Sequence, residues 1–188
     1  MMPISTEIIY LDATDSTMNV AKDIWKSRDG KINTPIVVIA RQQENGRGRM
    51  GKKWVSTEKG GLYYSLLIKS PNFGWDDIER IQLEVAAITS QVINTVSGVQ
   101  TTVKHPNDVM LNGLKVAGIL LESSSNGTAK KPDYVIVGIG INLNQNTFNG
   151  PLETIAISIK QVTNKSTLEK TITDPLTQKI TALISPTN

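Results

Sequence analysis

The stretch DVMLNGLKVAGILLES, residues 108–123, carries a strong local signal for the fold. Two apolar runs flank Asn112-Gly113, a dipeptide that favours the left-handed backbone conformation of a two-residue β-turn. The stretch therefore predicts an antiparallel hairpin. In its second run, Ala117-Gly118 removes side-chain volume from a strand, which indicates that another group approaches the backbone closely there.

Apolar runs on both sides of this hairpin predict the remaining elements. Further strands are predicted over 7–13, 35–43, 61–69, 99–106 and 133–144. Helices are predicted over 17–27 and 76–97, and 152–185 is expected to be mostly helical with an interruption at Pro175. Six or so strands with one long helix predict an α+β fold, in which helices cover a mixed β-sheet.

Length and composition limit the classes of protein and of site. The 188 residues are enough for one core, so a single domain over 1–188 is expected. Cysteine is absent, which excludes disulfides and a cysteine nucleophile, and the single histidine argues against a histidine-rich metal site or a Ser/His/Asp triad. The first residues lack the pattern of a signal peptide, and no run approaches the roughly 18 apolar residues of a membrane span. We therefore expect a cytoplasmic protein.

The segment GRGRMGKKW, residues 46–54, concentrates glycine and positive charge. Glycines let backbone N–H groups approach a ligand, and arginines donate in a fork that matches carboxylate or phosphate. The spacing is that of neither a Walker A loop nor a dinucleotide-binding fingerprint. Taken alone, the segment fits a solvated basic loop as well as it fits an anion-binding loop.

Three other polar segments each have an ordinary structural interpretation. KHPND, residues 104–108, with Lys115 beyond it, fits a plain hairpin with surface lysines. GIGIN, residues 138–142, fits a buried strand, and Asp15-Ser16-Thr17 fits a helix cap. His105 fits a structural hydrogen-bonding role, and Trp54 fits core or lid packing.

Together, the four segments resemble the catalytic domain of biotin protein ligases, in the same order and at similar separations. The family patterns GRGRxGRxW, KWPND with KxxGIL(V/L)E, GxGIN and DSTN correspond here to GRGRMGKKW, KHPND with KVAGILLE, GIGIN and DSTM. The similarity spans about residues 8 to 160. It implies a class II synthetase-like biotin/lipoate ligase fold, with neither the N-terminal helix-turn-helix nor the small C-terminal β-rich domain of some members.

The resemblance also implies roles for individual residues. Lys115 and Arg49 would act at the reacting anions, and biotin would be contacted by Ser16, Thr17, Gln43, Gly46, Arg47, Gly48, Arg49, Tyr63, Lys115 and Gly118. Within that set, Ser16, Thr17 and Gln43 would hydrogen-bond the ureido ring, and Tyr63 would pack beside the bicyclic ring. Lys52, Trp54, Lys104, Asn107 and Asn142 would bind ATP, with Trp54 over the adenine, and Asp108 would hold the metal.

The implied reaction is the ATP-dependent ligation of biotin to a lysine of a biotin carboxyl carrier protein through biotinyl-5′-AMP, with Mg²⁺. No DNA or membrane partner is implied, and a homodimer is left open. Three positions depart from the family pattern: Lys52 replaces an arginine, His105 a tryptophan and Met18 an asparagine. Lysine keeps the charge but loses the bidentate geometry of arginine, so a weaker hold on the triphosphate is expected.

Two other functional classes remain open from the sequence. A lipoate or octanoate ligase shares the fold, although the RRxSGGG loop of lipoate ligases has no equivalent here. A non-catalytic biotin sensor or an RNA-binding module would also use a basic loop, but aromatic residues are sparse around it. With three glycines and four cations that lack counter-charges, residues 45–53 are expected to be mobile until a ligand binds.

Overall fold

The computed structural model describes residues 5–56, 60–125 and 129–185. Seven strands are present: β1 Glu7–Thr14, β2 Ile36–Gln43, β3 Gly61–Lys69, β4 Thr101–Lys104, β5 Asp108–Leu111, β6 Leu114–Ser124 and β7 Tyr134–Asn142. The α-helices are α1 Thr17–Ser27, α2 Ile78–Ser97, α3 Ile159–Thr163 and α4 Glu169–Ile184. Short 3₁₀ turns cover Arg49–Gly51, Trp75–Asp77 and Gly150–Leu152.

The seven strands form one mixed sheet in the order β1-β2-β3-β7-β6-β5-β4. The pair β1–β2 is parallel and its crossover contains α1, whereas all other neighbours are antiparallel. Helices α2 and α4 pack against one face of the sheet, and α1 packs against the other. The predicted α+β class, a mixed sheet covered by helices, is confirmed.

The interior strand β3 shows why this sheet needs helices on both faces. Its interior is apolar at almost every position, the pattern of a strand buried on both sides. Leu62, Tyr64 and Leu66 enter the core under α2 and α4, while Leu67 enters the smaller cluster under α1. Because side chains alternate between faces along a strand, Tyr63 and Ser65 share the face of Leu67. The functional site lies on that face.

The predicted hairpin is confirmed as β5 and β6. Asn112 and Gly113 form its turn with φ of 52° and 79°, both in the left-handed region that such a turn requires. A bulge between Val109 and Met110 shifts the register of the pair. The hairpin brings Asp108 opposite Gly118, so the end of the KHPND segment lies beside the glycine of KVAGILLE.

The C-terminal region differs from the prediction. Pro175 was expected to interrupt the helix, but α4 continues through it from Glu169 to Ile184. Ile172, Leu176 and Ile180 of α4 are fully buried, and this packing outweighs the hydrogen bond that proline removes. The interruption lies earlier, where Asn164 ends α3 in the left-handed conformation with φ of 56°.

Smaller differences concern boundaries. The predicted helix 76–97 begins as the 3₁₀ turn Trp75–Asp77 and becomes α-helical at Ile78, and Gly98 ends it with φ of 74°, as expected. The strand predicted over 99–106 is confined to β4. No helix in the described part of the chain is long and apolar enough to cross a membrane.

Candidate active site

A cavity of about 630 Å³ opens on the face of the sheet that carries α1. It is bounded by the N-terminus of α1, the ends of β2, β6 and β7, the basic loop 46–54 and the segment 148–156. All but two of the predicted site residues line it: Ser16, Thr17, Gln43, Arg47, Gly48, Arg49, Lys52, Trp54, Lys104, Asn107, Asp108, Lys115, Gly118 and Asn142. Residues from four separate segments of the sequence therefore meet at one place.

One end of the cavity is a small polar cluster at the start of α1. The backbone N–H and the hydroxyl of Thr17 both donate to Gln43 Oε1, at 2.8 and 3.0 Å. The only hydrogen of the Thr17 hydroxyl is used in the bond to Gln43. The Thr17 oxygen therefore accepts a hydrogen bond from the Ser65 hydroxyl, 2.8 Å away. The oxygen of the Gln43 amide is thus occupied, and its NH₂ group remains available as a donor to a ligand.

Ser16 lies at the N-cap position of α1 but its side chain makes no capping hydrogen bond. Ser16 is therefore the N-cap residue by position, as the structural interpretation predicted. Its hydroxyl, however, does not cap the helix. Ser16 is 1% exposed and lines the cavity beside Thr17. A buried hydroxyl in this position can hydrogen-bond a ligand.

The floor of the cavity is formed by glycine backbone without side chains. Gly118 of β6 pairs with Gly140 of β7, and the indole of Trp54 lies over both. A Cβ atom at Gly140 would lie 2.6 Å from Trp54 Cζ2, and one at Gly118 would lie 2.8 Å from Trp54 Cζ3. These glycines are required for close approach, as Ala117-Gly118 predicted, and the approaching group in this structure is Trp54.

Lys115 lines the cavity close to Asp108 and Trp54. Its Nζ is 2.6 Å from Asp108 Oδ1 and 5.4 Å from the centre of the Trp54 ring. Its backbone is held by the neighbouring segment, because Lys115 N–H donates to Ile155 O (2.9 Å) and Ile157 N–H donates to Lys115 O (3.0 Å). The ammonium group is therefore positioned by a fixed backbone and one carboxylate.

The basic loop 46–54 is a narrow hairpin that folds over the cavity. Gly48 N–H donates to Lys52 O (2.7 Å), and Trp54 N–H donates to Gly46 O (2.9 Å). At the tip, Met50 has φ of 54° and is 93% exposed. Gly46 has no room for a side chain, since a Cβ there would lie 2.5 Å from the Trp54 carbonyl oxygen.

The four cations of this loop are not equivalent. Arg47 Nη2 lies 3.1 Å from Glu122 Oε2 of β6, so the expectation that all four lack counter-charges is wrong. Arg47 also helps to hold the pKa of Asp15 below its usual value, although the main cause is a hydrogen bond from Asn19. No carboxylate in the described ranges forms an ion pair with Arg49, Lys52 or Lys53, and these three provide the uncompensated positive charge.

Another part of the cavity wall combines amides with apolar side chains. Asn142 Nδ2 donates to Lys115 O (3.3 Å), and Asn142 Oδ1 accepts from Gln145 Nε2 (3.2 Å). Asn107 Nδ2 donates to Ile119 O (2.9 Å), which ties the KHPND turn to β6. The apolar part of this wall consists of Phe148, Leu152, Ile155 and Ala156.

Two predicted contacts fall outside the cavity lining. Gly46 begins the loop, and its lack of a side chain allows the backbone of Trp54 to pack closely against it. Tyr63 is buried on the site face of β3, with its side chain against Gly61 and its backbone paired with Gly140. Its predicted contact with the bicyclic ring stays a prediction. His105 is exposed and does not line the cavity.

The residues near Asp108 fit a metal ion only in part. No group of three or more histidine or acidic side chains lies together in the described residues. Mg²⁺ in nucleotide sites is commonly held by one or two carboxylates together with substrate phosphates and water, so a single aspartate is compatible with it. Asp108, however, already contacts Lys115, and phosphate oxygens would have to supply most of the ligands.

Several residues of the site were not singled out from the sequence. Ser65 is the one polar residue inside the apolar run LYYSLLI, which was a usable signal. Glu122 ends the KVAGILLE motif but faces the basic loop only because β6 passes beneath it. Met18 was noted only as a departure, whereas its side chain packs directly over Gly138.

Comparisons with known proteins agree with this geometry. The model of the Biotin/lipoate A/B protein ligase family matches residues 10–142. The bifunctional ligase/repressor BirA of Bacillus subtilis is 36% identical over 158 residues, which cover 82% of this chain and 46% of the relative. The biotin--[acetyl-CoA-carboxylase] ligase of Paracoccus denitrificans is 40% identical over 135 residues, covering 71% and 53%.

The chain thus spans about half the length of the curated relatives that it matches. Among solved structures, the biotin protein ligase from Aquifex aeolicus in complex with biotin and ATP superimposes with a TM-score of 0.78 and 28% identity. That alignment covers 94% of this chain and 69% of the other. With the family model matching well over half of its residues, the chain belongs to the Biotin/lipoate A/B protein ligase family.

Proposed function

We propose that this chain catalyses the ATP-dependent ligation of biotin to a lysine of a biotin carboxyl carrier protein, through biotinyl-5′-AMP. One observation carries the proposal. A single cavity joins the polar cluster of Ser16, Thr17 and Gln43 to the cationic centre at Lys115. Relatives named as biotin ligases, and a similar structure that holds biotin and ATP, support the same assignment.

In the first step, a carboxylate oxygen of biotin attacks the α-phosphorus of ATP, and the bond to the diphosphate leaving group breaks. Both reactants are anions that repel each other, so the main task of the protein is to offset negative charge. Lys115 and Arg49 both line the cavity, which supports this role for their positive charges. No protein nucleophile is needed, which is consistent with a chain that has no cysteine.

In the second step, the neutral amine of the carrier lysine attacks the acyl carbon of biotinyl-5′-AMP. The carbon–oxygen bond to AMP breaks, AMP leaves with the electron pair, and the amine gives up a proton as the amide forms. Lys115 and Arg49 again face the developing charge on the departing phosphate. Loop 46–54 folds over the cavity and limits the access of water to the reactive anhydride.

When bound, Mg²⁺ would neutralise phosphate charge and orient the leaving diphosphate. Asp108 is the carboxylate that would hold it, with substrate phosphates completing the coordination. Asp108 contacts Lys115 in this structure, so the two side chains would have to separate for phosphate to enter between them.

The polar cluster favours biotin over lipoate. A ureido ring offers two N–H donors and a carbonyl acceptor, which suit the hydroxyl of Ser16 and the free NH₂ group of Gln43. The dithiolane ring of lipoate offers no comparable groups and would leave buried polar atoms unpaired. Sites built to hydrogen-bond a ligand reject analogues that lack the matching groups.

The test is biotin-dependent exchange of diphosphate into ATP, followed by transfer of biotin to a carrier domain. We expect exchange with biotin and not with lipoate, and a sharp loss in Lys115→Ala. Lys26→Ala is the matched control, because Lys26 lies on the exposed part of α1. Biotin binding without any exchange would instead support a non-catalytic sensor, and exchange with lipoate alone would overturn the biotin assignment.

A further inference from the structure

The ion pair between Arg47 and Glu122 is the only ion pair that joins loop 46–54 to the sheet in the described residues. Arg47 Nη2 donates to Glu122 Oε2 at 3.1 Å, and the two side chains are 35% and 29% exposed. The Arg47 Nε atom is buried with no partner among the described residues. The Arg47 guanidinium thus points along β6 toward Glu122.

Glu122 lies on the same face of β6 as Gly118 and Leu120, because side chains alternate along a strand. Loop 46–54 therefore contacts β6 at two points. The indole of Trp54 rests on Gly118, and the guanidinium of Arg47 pairs with Glu122 four residues further along. An isolated β-bridge between Arg47 and Lys53 joins the two sides of the loop, so they move together.

We propose that Glu122 is a positioning residue that holds the basic loop closed over the cavity through Arg47. The Arg47 side chain binds the sheet, while Gly48 and the following residues cover the ligand. Opening the loop separates the two charges and exposes the indole in a single movement. Loss of Glu122 therefore increases the open fraction even in the absence of ligand, and the effect on ligand release rests on the proposed function.

Amide hydrogen exchange of residues 46–54 in the ligand-free protein tests the proposal directly. A hydrogen bond between charged groups that is partly shielded from water changes such an equilibrium by about tenfold or more. We expect exchange in 46–54 to rise about tenfold in Glu122→Ala and in Arg47→Ala. The double variant should show no further rise, because either change alone already removes the pair.

The ion pair of Arg28 with Glu7 provides the matched control. It joins the residue that follows α1 to β1 with two hydrogen bonds of 2.7 Å and lies outside the cavity. Glu7→Ala should leave exchange in 46–54 unchanged. Glu122→Gln, which keeps the shape and loses the charge, provides the test if Glu122→Ala does not fold, and we expect it to raise exchange by a smaller factor.

Unchanged exchange in both Glu122→Gln and Arg47→Ala would overturn the proposal, as would a double variant whose effect is the product of the single effects. Biotin dissociation, followed by stopped flow, should accelerate in parallel with exchange. If exchange responds as expected but biotin does not bind the wild-type chain, the positioning role stands and the proposed function fails. The two conclusions are therefore tested separately.

Discussion

Replacement of Gly140 by alanine should displace the loop from the cavity without damaging the core. The added Cβ would lie 2.6 Å from Trp54 Cζ2, closer than real Cβ atoms approach other atoms. The φ of Gly140 is not in the left-handed region, so its backbone accepts alanine without strain. Since Trp54 belongs to a surface loop and Gly140 to the central strand β7, the indole is the group that moves.

The size of the effect follows from the area that Trp54 covers. A fully buried tryptophan removes about 150–250 Å² from water, and Trp54 is half-buried, so its packing on the floor accounts for about 100 Å². At about 25 cal/mol per Å² this contact contributes about 2.5 kcal/mol. Overpacking a site costs about 1–3 kcal/mol. We therefore expect closure of the loop to weaken by about 2 kcal/mol, or about 30-fold.

Calorimetry with biotin and with ATP, together with thermal unfolding, measures this effect. We expect weaker binding and faster ligand release in Gly140→Ala, with little change in melting temperature. Gly74→Ala is the control, because a Cβ at Gly74 meets its nearest atom at 3.6 Å, an ordinary contact. If Gly140→Ala bound both ligands as tightly as Gly74→Ala does, the indole would not rest on this floor.

Three other outcomes are expected. Lys115→Ala should lower biotinyl-adenylate formation by about 10²–10³-fold with an unchanged fold, and a rate within a few-fold of wild type in single-turnover assays would refute its role. Trp54→Ala should weaken ATP binding by about 1–3 kcal/mol and biotin binding by less, and calorimetry showing the reverse order would contradict this. Asn19→Ala removes the main cause of the lowered Asp15 pKa, so it should destabilise the protein near neutral pH. The difference in stability between Asn19→Ala and the wild type should disappear as the pH falls through the lowered pKa of Asp15. Unfolding curves at a series of pH values measure this difference, and a difference that persists at low pH would contradict the reasoning.

Local patterns were sufficient for the elements that carry the site. The predicted bounds of α1 and β3 agree with the structure because an amphipathic helix and a buried strand are encoded by neighbouring residues. The turn at Asn112-Gly113 was predictable for the same reason. Gathering the site residues into one cavity was predictable only through the resemblance of four separate motifs, since no local rule brings Gln43 to Thr17.

Contacts between distant parts of the chain were not predictable in this way. Arg47 and Glu122 are 75 positions apart, and their pairing depends on the sheet order, which places β6 beneath the loop. Without that order, the charges of the loop were taken to be uncompensated. Pro175 is a similar case, because its local preference to break a helix is overridden by the burial of Ile172 and Leu176 against the core.

The packing of Met18 over Gly138 has a consequence for ligand engineering. A Cβ at Gly138 would lie 2.5 Å from Met18 Sδ, so a flexible thioether fills the recess beside the polar cluster. Methionine adapts its shape easily, and shortening it to alanine would leave an apolar hollow next to Ser16 and Thr17. A biotin analogue enlarged at its ring end should occupy that hollow and be excluded by the natural side chain. If the proposed function is correct, Met18→Ala would form an orthogonal pair with that analogue and transfer it to a carrier domain, whereas the wild-type chain would not.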